Sequence, residues 1–81
     1  MNTKVYFLLK DINQDICKPI YLPVIPRPGE VIRLEGPLNP AIANLIASQV
    51  SPYSFWKVEY VSYTINIAKE KVEVLLYLSY A

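Results

Sequence analysis

Two apolar periods alternate along this chain, and the points where they change mark its elements. Val5 to Leu9 is continuously apolar and contains Val, Tyr and Phe, which predicts a strand with both faces partly buried. Asp11-Ile12-Asn13-Gln14-Asp15 supplies short polar side chains that cap their own backbone, which predicts a turn. Extended structure resumes from Ile16 to Val24. Pro19 and Pro23 each remove a ladder donor there, so this second strand is expected at an edge or bent, in a hairpin with the first. Pro26-Arg27-Pro28-Gly29 predicts a sharp corner, because proline presets φ and glycine reaches the positive φ that many turns need. Val31 to Leu34 follows as a short third strand, closed by Glu35-Gly36-Pro37-Leu38.

The period then becomes helical. Asn39 is a good N-cap, and Pro40 suits the first helical position, where its missing N–H costs nothing. Ile42, Leu45, Ile46 and Val50 form one apolar stripe, predicting a helix over about residues 40–50 that Ser51-Pro52 ends.

Phe55 to Ile67 reads as the longest strand. Trp56, Val58 and Tyr60 share one parity, whereas Val61, Tyr63, Ile65 and Ile67 share the other. Both sets reach one face only if the strand slips by one residue, so a β-bulge is expected near Tyr60–Val61. Ala68-Lys69-Glu70-Lys71 is the expected turn into a last strand, in which Val72, Val74, Leu76, Leu78 and Tyr80 alternate with Glu73, Leu75, Tyr77 and Ser79. Pairing across that turn sets Ile67 opposite Val72, Ile65 opposite Val74, Tyr63 opposite Leu76 and Val61 opposite Leu78. The expected fold is α+β and β-dominated. It is a five-stranded, strongly bent antiparallel sheet or a partly open small barrel, in the order β-β-β-α-β-β with one helix, forming a single domain over residues 1–81.

Composition narrows the function. The chain has no histidine, one cysteine and seven carboxylates, so most catalytic and metal-binding machinery lacks raw material. An apolar fraction of 53% argues against disorder and leaves more apolar surface than a small core needs, which points to a dimer or another partner. A net charge of +1 gives no long-range field to steer nucleic acid or a membrane. The lone Cys17 cannot form an internal disulfide, and no apolar run reaches membrane-helix length, so a cytoplasmic protein is expected.

The Pro-Arg-x-Gly-Glu corner feeding Val31-Ile32-Arg33-Leu34, then Trp56-Lys57-Val58-Glu59-Tyr60-Val61-Ser62-Tyr63 and a final hairpin, resembles a pattern in short orphan proteins, many of them carried by bacteriophages and mobile elements. The resemblance covers roughly Ile20 to Tyr63 and implies a small bent sheet or SH3-like barrel. The predicted helix is longer than the short turn usual in such barrels. The resembling residues are turn and core positions, so the resemblance carries over no site residue.

Each candidate site has a plainer structural reading. Cys17 has no histidine to activate it, and the adjacent Lys18 points to the other face of a strand, so a small buried hydrophobe or an idle thiol is expected. Glu59 and Glu73 lie on neighbouring strands and face outward, within reach of Lys57 and Lys71 as surface ion pairs. Asp11, Asn13 and Asp15 have the spacing of oxygen ligands but lack the glycine and distal glutamate of a calcium loop. Glu30 is expected to accept backbone amides and fix the corner. Seven tyrosines and Trp56 could form a stacking platform for a nucleic acid, but the basic residues are interspersed with acids. No catalytic residue, metal ligand or cofactor is therefore expected.

What remains is surface. Leu75 and Tyr77 point outward beside Ser62 and Thr64, and Tyr6 and Leu8 oppose Val5, Phe7 and Leu9 in the first strand. One apolar set of each strand faces the core. The other is either an interface or is covered by helix and curvature. The reading favoured is a non-enzymatic module working by protein–protein contacts, with itself as one partner. In the light of the resemblance, it would be a phage-type accessory or host-modulating protein, inhibition of a host defence being one version. The expected contact residues are Tyr6, Tyr53, Trp56, Leu75 and Tyr77, with Arg27 and Arg33 as polar anchors, because aromatics and arginine dominate interface energetics. The alternative is a nucleic-acid-binding small β-barrel.

Overall fold

The computed structural model describes residues 2–47 and 54–80. Six strands and one helix follow in the order β1 (Thr3–Leu9), β2 (Gln14–Asp15), β3 (Ile20–Leu22), β4 (Val31–Leu34), α1 (Pro40–Ala47), β5 (Ser54–Asn66) and β6 (Lys71–Tyr80). The sheet runs β2-β1-β6-β5-β4, with β3 also on β1. It is strongly curled and open, a half-barrel with one short helix.

The expected second strand is split. Its first piece pairs Gln14 and Asp15 with Leu9 and Leu8, and its second pairs Ile20, Tyr21 and Leu22 with Val5, Lys4 and Thr3. Ile16-Cys17-Lys18-Pro19 lies between, where proline has no N–H to give the ladder. The sheet is also not antiparallel throughout, since β1 and β6 run parallel from Lys4↔Glu73 to Leu9↔Leu78. They are the first and last strands, and the rest of the chain lies between them, so no tight turn dictates their relative direction.

The β5–β6 hairpin shows where the expected register fails. Asn66 pairs with Lys71, and the ladder continues through Ile65↔Val72, Tyr63↔Val74 and Val61↔Leu76. The loop is Ile67–Glu70, starting one residue earlier than the sequence suggests, so the register moves by two and every residue keeps its face. Two local devices place it there. Asn66 Oδ1 accepts the Lys69 N–H at 3.0 Å, and Glu70 takes φ = 51°. The β1–β2 loop, Lys10–Asn13, ends in the same conformation with Asn13 at φ = 51°. Asparagine tolerates that left-handed region far better than glutamate. Glu70→Asn is therefore expected to stabilise the domain by about 0.5–1 kcal/mol. A chemical-denaturation midpoint unchanged or lowered would refute this.

The corner and the helix cap form as the sequence indicates. Gly29 sits at φ = 91°, its N–H donates to the Val58 carbonyl at 2.8 Å, and the Glu30 carboxylate accepts the Arg27 N–H. Asn39 Oδ1 accepts the Ala41 N–H at 3.0 Å, and the Asn39 N–H donates to the Ile16 carbonyl at 2.7 Å, tying the helix start to the sheet edge. Among the helix side chains described, Ile42 is the one driven into the core, beside Val5, Phe7, Leu9, Ile16, Trp56, Val58, Val74, Leu76 and Leu78. Val50 and the side chains of Leu45 and Ile46 lie outside the described residues.

Candidate interaction surface

The sheet has two faces, and cross-strand register assigns side chains to each. The concave face holds the core. On the convex face, β1, β6 and β5 form three rows: Lys4–Glu73–Thr64, Tyr6–Leu75–Ser62 and Leu8–Tyr77–Tyr60. The one helix packs Ile42 into the opposite, concave face. Leu8 is buried, Tyr6, Leu75 and Tyr77 are half-buried, and Tyr60 is exposed. Tyr60 and Tyr77 stack with ring centroids 4.4 Å apart.

Polar contacts bracket this aromatic centre. At one end the Tyr6 hydroxyl donates to Glu73 Oε2 at 2.8 Å, and Lys4 Nζ stands 3.9 Å from the same oxygen. The Tyr6 hydroxyl, more than any other group, holds the Lys4 ammonium above its ordinary pKa, and Glu73 adds to it. At the other end the Ser79 hydroxyl donates to Glu59 Oε1 at 2.7 Å, which lowers the Glu59 pKa, with Lys10 and Lys57 reinforcing it. The carboxylates thus take Tyr6, Lys4 and Ser79 as close partners, where the sequence pointed to Lys57 and Lys71.

Of the seven expected contact residues, the fold brings together Tyr6, Leu75 and Tyr77. Arg27 lies in the exposed corner before β4. Arg33 is on β4, where it bonds Glu35 at 3.0 Å and lies over the Phe55 ring at 5.7 Å. Neither belongs to the convex cluster, because the sheet order sets β4 beyond β5. Trp56 leaves the contact set altogether: it is 0% exposed, packed on Tyr80 at 5.1 Å in the concave core. Tyr53 lies outside the described residues.

Tyr60 is the member that sequence parity misassigned. The bulge falls between Val58 and Tyr60, slightly before its expected place. Glu59 is the extra residue, so Tyr60 turns to the convex face and does not share the face of Trp56 and Val58. The parity break was visible, but its position required knowing which residue opposes Leu78.

A second feature is a cleft of about 690 Å³ between the split second strand and the helix start. Phe7, Cys17, Leu34 and Leu38 line it, with Asp15, Lys18 and Glu35 as its charged groups. Burial, and then the neighbouring Asp15, push the Cys17 thiol pKa up, so the group stays protonated at neutral pH. Among the described residues no three of Cys, Asp and Glu gather as a metal-ligand set, and no helix is long and apolar enough to cross a membrane.

The chain matches no family model, no curated protein and no solved structure.

Proposed function

We infer that the chain is a non-enzymatic contact module that binds a protein partner through the convex face of its sheet. The observation that carries this is the aromatic and apolar centre formed by Tyr6, Tyr60, Leu75 and Tyr77, bracketed by Lys4–Glu73 and Ser79–Glu59 pairs. An apolar, tyrosine-rich centre inside a polar rim is the anatomy of a protein interface. The tyrosines are pre-positioned by stacking and hydrogen bonding, so little side-chain entropy is lost when a partner arrives.

Charge favours a protein over a nucleic acid. By register Lys4, Lys57, Lys71 and Arg33 share this face, and Glu73, Glu59 and Glu35 stand among them, so the basic residues are interspersed with acids and form no unbroken track along the stacked tyrosines. Taken with the phage-like pattern of the corner and the long hairpin, the module is a small accessory protein that modulates a host or virion protein. Inhibiting a host defence component is one form of that role.

The test is a tagged pull-down with and without nuclease, repeated with Tyr77→Glu. A stoichiometric protein retained after nuclease and lost by at least about tenfold in the variant is the expected result. Capture that collapses with nuclease, or binding that falls steeply with salt, would transfer the convex face to nucleic acid. A Tyr77→Glu chain that unfolds would place Tyr77 among the fold-determining residues.

A further inference from the structure

The edge of β5 is covered over only part of its length. β4 pairs with Ser54 to Lys57, and its leading corner closes on Val58, where Gly29 N–H donates to the Val58 carbonyl and Val58 N–H donates to the Glu30 carbonyl. From Tyr60 to Asn66, β5 pairs with β6 on one side, and no described strand lies on the other. An uncovered edge is a template for another strand, and proteins usually guard such edges with charge, proline or a bulge. Tyr60-Val61-Ser62-Tyr63-Thr64-Ile65-Asn66 contains no charge and no proline, and the bulge at Glu59 lies before it.

The concave face beside this edge is apolar beyond the core. Tyr63 is 58% exposed, Ile65 65% and Ile67 86%, with the half-exposed Val72 opposite Ile65. These side chains offer on the order of several hundred Å² per copy, the scale on which stable interfaces are built.

We propose that two copies of this chain pair antiparallel through the free β5 edge, about a two-fold axis at Tyr63, joining two half-barrels into one continuous sheet. This deepens, and rests on, the reading of the chain as a contact module, and it assigns self-association to the β5 edge, which shares only Tyr60 with the convex centre. The occupant is a second copy because the segment is complementary to itself. An antiparallel register centred on Tyr63 sets Val61 against Ile65, Ser62 against Thr64 and Tyr60 against Asn66. Apolar residues then meet on the concave face, and hydroxyl and amide groups meet on the convex one, as favourable cross-strand pairs require. Directly opposed residues share a face, so the exposed Tyr63 is covered by Tyr63 of the other copy and the exposed Ile65 by its Val61. No like charges oppose one another within the paired segment. Its length also matches: on either side of Tyr63 the edge is free for the same distance, to the bulge in one direction and to the Ile67–Glu70 loop in the other. A two-fold interface requires that the same patch serve both copies, and this one does.

The experiment is sedimentation equilibrium of the full chain across about 1–100 μM, with far-UV circular dichroism alongside. The wild type is expected to dimerise with a micromolar dissociation constant. Tyr63→Lys, which opposes two like charges on the axis, is expected to be a folded monomer, and Tyr63→Glu likewise. Mixing the two variants is expected to restore a heterodimer, because only a residue that faces itself gives charge-swap rescue. Should Tyr63→Lys fail to fold, the same pair of substitutions at the equally exposed Ile65 reports on the edge instead. There the register opposes Ile65 to Val61, so monomers without rescue are expected. A wild type that stays monomeric, a dimer that survives Tyr63→Lys, or a Tyr63 mixture that does not associate each overturns the proposal. A dimer lost in Tyr77→Glu but kept in Tyr63→Lys would move self-association to the convex face. Partner capture in the pull-down is read separately, so the edge can fail while the contact-module reading stands.

Discussion

Trp56→Ala is expected to bring the protein to the edge of unfolding at ordinary temperature. The side chain is fully enclosed at the junction of β4, β5 and β6, opposite Ile32 on one side and Tyr80 on the other. Truncating a buried tryptophan costs about 3–5 kcal/mol, from lost transfer free energy and the cavity left behind. A chain of 81 residues sits at the low end of the usual stability range of about 5–15 kcal/mol, because so small a domain buries a limited share of its surface. Trp56→Phe is a sharper test. Among the described residues nothing accepts the buried indole Nε1–H, a deficit worth about 1–3 kcal/mol. Phenylalanine keeps much of the apolar volume and removes the orphaned donor, so its net effect should fall within about 1 kcal/mol of zero. The measurement is urea unfolding of all three proteins by circular dichroism. In the wild type, fluorescence of the single tryptophan reports the same transition. A Trp56→Ala protein with an unshifted midpoint would remove Trp56 from the core.

The part of this fold carried by local chemistry was legible in the sequence. Asn39 caps the helix because its side chain reaches the Ala41 N–H, and Glu30 fixes the corner because its carboxylate reaches back to Arg27. The convex placement of Leu75 and Tyr77 beside Ser62 followed from alternation alone, and alternation survives a register shift of two. What depended on distant pairing was not legible. Nothing in β1 or β6 signals that the two lie side by side and parallel. That pairing creates the convex cluster by setting Tyr6 beside Leu75 and Leu8 beside Tyr77. Nor does composition separate a core tryptophan from an interface tryptophan: Trp56 has the chemistry of a contact residue and the position of a core one. The arginines were grouped with the aromatics by type, whereas the sheet order keeps them apart. The exposed apolar run through Tyr63 and Ile65 reads as core by parity. It is uncovered because β4 closes over the Trp56–Val58 half of β5 and stops there.

Deleting Glu59 is expected to be tolerated, and deleting Lys57, two positions away, is not. Val58 opposes Leu78 and Tyr60 opposes Tyr77, so Glu59 has no partner in the ladder. Without it, Val58 inward, Tyr60 outward and Val61 inward form a regular strand, and every pair of the hairpin is preserved. The losses are the Ser79–Glu59 hydrogen bond and the local curl that the bulge gives the half-barrel, together about 1–3 kcal/mol. Removing Lys57 leaves two ways out. If the pairs from Val58 onward hold, Trp56 turns to the convex face and the core loses its largest side chain. If Trp56 stays inward, the bulge is absorbed and Glu59 takes the buried place of Val58 opposite Leu78, carrying a carboxylate into an apolar core. Either cost is comparable with the whole stability of so small a domain. Dispersed, temperature-independent amide spectra for the Lys57 deletion would show that strand parity does not hold this sheet together. Cooperative unfolding of the Glu59 deletion, beside a collapsed Lys57 deletion, would place the slip at the single residue where the geometry puts it.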